Sequence, residues 1–186
     1  MRSVIVIFTC FIILLTGCSN VNAPIDKAIS LRNQIECSNG CAFLATVTAD
    51  YGDELYAFSM DCVTDKEGNL AFTVITPDTI SGITGRISAK GGELVFDNNV
   101  LGFQTMADGM LTPVVAPWIF IRTLKSGYLK GCAEIDTGFE ILADDSYADG
   151  ALHLCIVVEE SLPKIAEIFW NGRRILTISV ENFRYL

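Results

Sequence analysis

From residue 43 onward the chain is dominated by an alternation of apolar and polar residues with a period of two. Tyr56, Phe58, Met60 and Cys62 fall on one face, with Ala57, Ser59 and Asp61 on the other. Only an extended strand puts every second side chain on the same side. The turn Asp65-Lys66-Glu67-Gly68-Asn69 separates this run from Leu70, Phe72 and Val74, which alternate again, so the pair reads as a hairpin. Similar runs predict strands over 43–50, 83–89, 93–97, 101–106, 128–135, 139–143, 151–158, 164–170 and 174–183. Gly91-Gly92, Asp149-Gly150 and Asn171-Gly172 supply turns between several of them. About eleven strands joined mostly by short turns predict a mainly β chain with few helices, an α+β arrangement built on one large antiparallel meander. Such a sheet buries one face and wets the other.

Two segments depart from this period. Ala28, Leu31 and Ile35 share one side of a helix over 24–36, with Asn22 placed as its N-cap and Pro24 in its first turn. The second segment opens at Thr112-Pro113 like a capped helix and closes at Lys125 and Gly127. Between these ends Val114, Val115, Trp118, Ile119, Phe120, Ile121 and Leu124 are apolar almost all the way round, the pattern of a buried helix. Pro117 inside it either starts the helix or kinks it. A curved half-barrel sheet with this apolar helix in its concave face accommodates both observations. Val114, Val115, Trp118, Ile119 and Ile121 are the candidate wall or lid of a cavity there.

The N-terminus carries an address. Met-Arg-Ser precedes an apolar run over 4–15, too short for the roughly 20 residues a bilayer span needs but suited to an export signal. Leu15-Thr16-Gly17-Cys18 resembles the lipobox of bacterial lipoproteins. The resemblance implies diacylglycerol, with acyl chains such as palmitate, on the Cys18 thiol and cleavage before it; its two chains give lasting attachment where one gives marginal binding. The chain then divides into a signal (1–17), a lipidated tether (18–22) and a half-barrel domain (23–186). A tether of roughly five residues reaches at most about 17 Å, so the domain sits close to the membrane. The location implied is the extracytoplasmic face of the cell membrane, lipid-anchored, or the outer membrane where the organism has one, since Ser19 is not the Asp that holds enterobacterial lipoproteins at the inner membrane.

Charge removes other partners. Without residues 1–17, whose only charge is Arg2, 12 Lys and Arg face 22 Asp and Glu, and no basic run offsets them. Such a surface repels phosphate backbones and acidic headgroups, which excludes nucleic acid as a partner and leaves the lipid anchor as the membrane contact.

An export signal of this kind, an amphipathic helix, a long meander and a Pro-containing apolar helix about two-thirds along together resemble the LolA/LolB lipoprotein-carrier fold, the half-barrel on which mycobacterial relatives carry glycolipids. Phe72-Thr73-Val74-Ile75-Thr76-Pro77, Ile80-Ser81-Gly82-Ile83, Leu111-Thr112-Pro113 and Ala166-Glu167-Ile168-Phe169 through Phe183 are similar to the carrier-like lipoproteins of spore-forming Firmicutes, the clostridial germination lipoprotein GerS among them. The likeness spans residues 24–186 and implies a non-catalytic binding fold. LolA is a soluble shuttle, whereas a tethered chain does not ferry cargo alone.

Chemistry beyond binding is sparse. His153 and Cys155 share a strand face, as a nucleophile and base or half a metal site would. Leu152, Leu154, Ile156 and Val158 form the more apolar face, so the pair reads as residues of the wet side. Asp144-Asp145 and Glu159-Glu160 are adjacent in strands and point to opposite faces. No phosphate loop, HExxH, GxSxG or paired CxxC motif occurs, and the sequence predicts no enzyme, metal or cofactor. Cys10 leaves with the signal and Cys18 is acylated, so five cysteines remain. Cys37-Ser38-Asn39-Gly40-Cys41 either closes a small disulfide loop, which export allows, or holds two free thiols. The expected role is a membrane-anchored protein that binds lipid, acyl chains or a lipoprotein in its concave face. The alternative is a module partnering an exported enzyme of the cell wall or spore cortex, as the likeness to the germination lipoprotein implies.

Overall fold

A computed structural model describes residues 23–97, 99–107 and 110–186; the signal, Cys18 and Asn22 lie outside the described residues. Helix α1 (Ala23–Cys37) leads into strands β1 (Cys41–Asp50), β2 (Leu55–Thr64), β3 (Leu70–Thr76), β4 (Thr84–Ser88), β5 (Gly91–Phe96) and β6 (Asn99–Phe103). A small hairpin, β7 (Met106–Ala107) and β8 (Met110–Leu111), precedes a 3-10 turn (Pro113–Val115) and helix α2 (Ala116–Ser126). Strands β9 (Tyr128–Ile135), β10 (Gly138–Asp144), β11 (His153–Glu159), β12 (Leu162–Trp170) and β13 (Arg173–Tyr185) complete the chain.

All strands but β7 and β8 form one open antiparallel sheet of 11 strands, in the order β6-β5-β4-β3-β2-β1-β13-β12-β11-β10-β9. The expected single meander is in fact two, β1 to β6 and β9 to β13, joined where the first and last strands pair from Cys41 opposite Tyr185 to Ala49 opposite Leu176. Hairpin turns announce neighbours in sequence, but nothing local announces a partner at the far end of the chain. Register shifts interrupt the β1–β13, β2–β3, β9–β10, β11–β12 and β12–β13 pairings. Each such bulge adds local twist and bends the sheet toward a half-barrel.

One face of the sheet is buried throughout its middle. Cys41, Phe43, Ala45, Val47 and Ala49 of β1 carry it, with Met60 and Cys62 of β2, Ile156 and Val158 of β11, and Leu176, Ile178 and Val180 of β13. Both helices lie on this face: α2 packs against β1, β10, β13 and α1, while α1 also meets β9. Phe120 of α2 stands edge-on to Phe43 at 6.0 Å, and Phe43 stacks on Phe183 at 5.7 Å. As the spacing predicts, α1 buries Ala28, Leu31 and Ile35.

The apolar segment differs from expectation at its start. Thr112 makes no side-chain cap; its hydroxyl donates to the Gln104 carbonyl (3.0 Å), and a 3-10 turn carries Pro113 before α2 begins at Ala116 with Pro117 in its first turn. There the missing proline N–H has no intrahelical partner to lose, so Pro117 is accommodated in the first turn, just after the helix begins. Gly127 caps the other end with an ordinary φ of −68°. Its need for glycine is closeness, since a Cβ would stand 2.6 Å from the Thr123 oxygen and 2.7 Å from the Asp144 carbonyl.

At the C-terminal end of α2 the carbonyls run out of following N–H donors beyond the Gly127 N–H to Thr123 O bond (2.8 Å), and α1 supplies donors there. Arg32 Nε donates to Leu124 O (2.9 Å) and its Nη2 to Gly127 O (2.7 Å) and Thr123 O (3.4 Å). A guanidinium suits the negative end of a helix dipole, and its fork reaches several acceptors at once. Arg32→Met should therefore cost about 2–3 kcal/mol, read from urea unfolding midpoints, and Arg32→Lys should recover only part of the loss. Equal midpoints for wild type and Arg32→Met would remove this clamp from the account.

Candidate binding groove

The helices do not cover the whole concave face. Pairing carries the parity of Phe58 and Met60 outward: Met60 opposes Val74, Phe72 opposes Gly85, Gly85 opposes Leu94, and Leu94 opposes Leu101. On the β2 to β6 side this face opens into a groove of about 730 Å³, lined by Tyr51, Asp53, Glu54, Tyr56, Phe58, Val74, Ile80, Ile83, Leu94, Leu111, Thr112, Pro113 and Val114. That is within the usual size range of ligand pockets, which are mainly apolar with a few placed polar groups. The apolar surface continues past the groove, where Phe96 and Leu101 on the same face are 52% and 62% exposed. Gly85 and Gly92, in the neighbouring strands, leave room for aromatic side chains: a Cβ at Gly85 would come within 2.5 Å of the Phe72 ring, and one at Gly92 within 2.1 Å of the Phe103 ring.

The rim is polar and organised. Tyr51 donates its hydroxyl to the Leu111 carbonyl, which ties the β1 end to the segment leading into α2. Tyr56 donates to the Glu54 carboxylate, and this bond raises the Tyr56 phenol pKa above the ordinary range; burial raises that of Tyr51. Asp50 accepts from Gly52 N (2.9 Å) and pairs with Arg173 (3.2 Å). Ile80 reaches the rim on a turn in which Gly82, at φ +84°, donates to Val74 O (2.9 Å).

Of the candidate wall residues, Val114 is half-buried and lines the groove, whereas Val115, Trp118, Ile119 and Ile121 are buried in the core. Trp118 Nε1 donates to Gly68 O (3.1 Å) in the β2–β3 turn, and Arg122 lies 5.1 Å from its ring centre. Trp118 and Ile119 border a separate hollow of about 200 Å³. Of the groove's lining, sequence reasoning assigned only Val114 to a cavity; Tyr51, Asp53, Glu54, Ile80, Ile83 and Leu94 are among those it did not. Tyr56 and Phe58 were legible as one strand face, but their exposure follows from where the helices stop.

The other chemistry-bearing residues lie elsewhere. His153 is exposed and pairs through Nδ1 with Asp144, to which Lys130 is also bridged at 3.3 Å. The Cys155 thiol donates to Glu140 (2.9 Å), and burial together with that carboxylate pushes its pKa up to about 12, which leaves no thiolate for nucleophilic work near neutrality. Cys37 is exposed at the end of α1 and Cys41 is buried at the start of β1, both as free thiols. Among the described residues no group of three or more His, Cys, Asp or Glu is placed to hold a metal, and no helix is long and apolar enough to cross a membrane.

No family model matches the chain, and no curated protein matches it. Among solved structures it is similar to an uncharacterized conserved protein from Thermus thermophilus, with 14% identity, coverage of 86% of this chain and 87% of that one, and a TM-score of 0.47. It is also similar to a LolA superfamily protein from Nitrosomonas europaea, at 10% identity over 84% and 92% of the two chains with a TM-score of 0.45. The lipoprotein LppX of Mycobacterium tuberculosis is similar at 10% identity, 87% and 93% coverage and a TM-score of 0.42. These are likenesses in the course of the chain, and no ligand follows from them.

Proposed function

We propose that this chain is a non-catalytic binding protein, held at the extracytoplasmic face of the membrane through Cys18, whose concave groove takes the acyl chains of a lipid or lipoprotein. The observation that carries the reading is the open groove of about 730 Å³ walled by Phe58, Val74, Ile83 and Leu94, apolar in its depth and polar at its rim. Burial of apolar surface supplies the driving force, roughly 25 cal/mol per Å² removed from water. The tether keeps the domain near the bilayer, so the cargo is received from or handed to the membrane or another protein. A second reading has its own support: the exposed apolar side chains of Phe96 and Leu101, on one face at the β6 edge of the sheet, suit a protein partner, such as an exported enzyme of the cell wall or spore cortex.

A titration of the unlipidated domain with a fluorescent acyl probe separates the two. Saturable binding is expected for the wild type, weakened at least tenfold in Ile83→Glu, which places a carboxylate against the groove wall. Absence of saturable binding by the wild type would leave the carrier reading without support and favour the partner module.

A further inference from the structure

We propose that the groove selects amphiphiles whose head group donates hydrogen bonds and carries no negative charge, an alkylammonium or a neutral polyol, and rejects anionic ones. This deepens the proposed function and rests on it. The inference comes from the polar atoms of the rim. The side-chain donors among the lining residues are the hydroxyls of Tyr51, Tyr56 and Thr112, and all three already donate within the protein, to Leu111 O, Glu54 and Gln104 O respectively. What the lining offers a head group is acceptors, chiefly the carboxylates of Asp53 and Glu54.

Charge points the same way. No Lys or Arg lines the groove. The nearby Arg173 is engaged with Asp50, while Asp53 and Glu54 have no cationic partner among the described residues. A carboxylate, sulfate or phosphate head would therefore meet two like charges and find no unengaged side-chain donor, whereas an ammonium or hydroxyl head meets acceptors. Because the rim is solvated, the charge part of this preference weakens as salt is added.

The test uses the unlipidated mature domain and three ligands with the same twelve-carbon chain, each below its micelle concentration at pH 7.5: dodecylamine, monolauroylglycerol and dodecanoate. Competition against a neutral fluorescent acyl probe should show the amine and the glyceride binding at least tenfold more tightly than dodecanoate, with the gap between amine and dodecanoate shrinking in high salt. In the Asp53→Asn, Glu54→Gln double variant that gap should narrow at least fivefold while the glyceride changes little, with thermal unfolding checking that the variant is folded. If it does not fold, the wild-type comparison decides alone. Equal affinities, or a preference for dodecanoate, would overturn the selection rule and leave acyl binding standing; binding of none of the three would overturn both.

Discussion

Trp118→Ala should lower unfolding stability by about 3–5 kcal/mol, the range for emptying a rigidly packed aromatic site. Trp118 is 4% exposed, its indole N–H is committed to the Gly68 carbonyl, and its ring underlies Arg122. Truncation therefore removes buried apolar area, leaves a carbonyl of the β2–β3 turn without its donor, and opens a void next to the hollow that Trp118 already borders. A domain of this size has roughly 5–15 kcal/mol in total, so the variant should melt far earlier in urea or on heating. Because Trp118 does not line the groove, affinity of the still-folded variant for an acyl probe should change less than twofold. An unchanged midpoint would mean that α2 is not packed as described; a large gain in probe binding would mean that α2 acts as a lid.

The second large effect concerns location. Cys18→Ala should move the protein almost completely from the membrane fraction to the soluble extracytoplasmic pool. No described helix is long and apolar enough to span a bilayer, and the excess of Asp and Glu disfavours adhesion to acidic headgroups. On the proposed anchoring, acylation at Cys18 would hold the protein, with two chains contributing about 0.8 kcal/mol per buried methylene. Fractionation with a salt wash, beside mass spectrometry of the N-terminal peptide, checks both parts. Retention of the washed mutant would show a second membrane contact.

Much of the architecture was legible because it depends on local pattern. Alternation over 56–62 and 70–74 reports a strand face directly, and the 3.6-residue spacing of Ala28, Leu31 and Ile35 reports a buried helix side. Strand ends shifted by a residue or two, and 101–106 resolved into β6 and the start of a separate hairpin. The junction of the two meanders was not legible, because the match of Ala45 to Val180 is a property of both strands together. The groove was legible only in part for a related reason. Whether an apolar residue is core or binding wall depends on what covers it: Phe43 lies under α2 and Phe58 does not, yet both belong to the same alternating pattern. Arg32 shows the same limit, since nothing in its neighbourhood in sequence marks it as the clamp on the end of another helix.

The pairing of β1 with β13 also sets a schedule. A chain exported from its N-terminus presents α1 and β1 to β6 first, and this portion can form hairpins while one side of β1 stays bare. The strand that closes that side is the last to emerge. Until it arrives, Ala45, Val47 and Ala49 lack their neighbours Val180, Ile178 and Leu176, and the floor beneath α2 is missing. Contacts so distant along the chain are slow to find, and an unpaired edge held open meanwhile is a place where another chain can add. Closure of this domain is therefore a late event in the appearance of the chain. A truncation that removes only β13 should leave two half-sheets with no hydrogen-bonded junction, a far heavier loss than one strand in eleven would suggest.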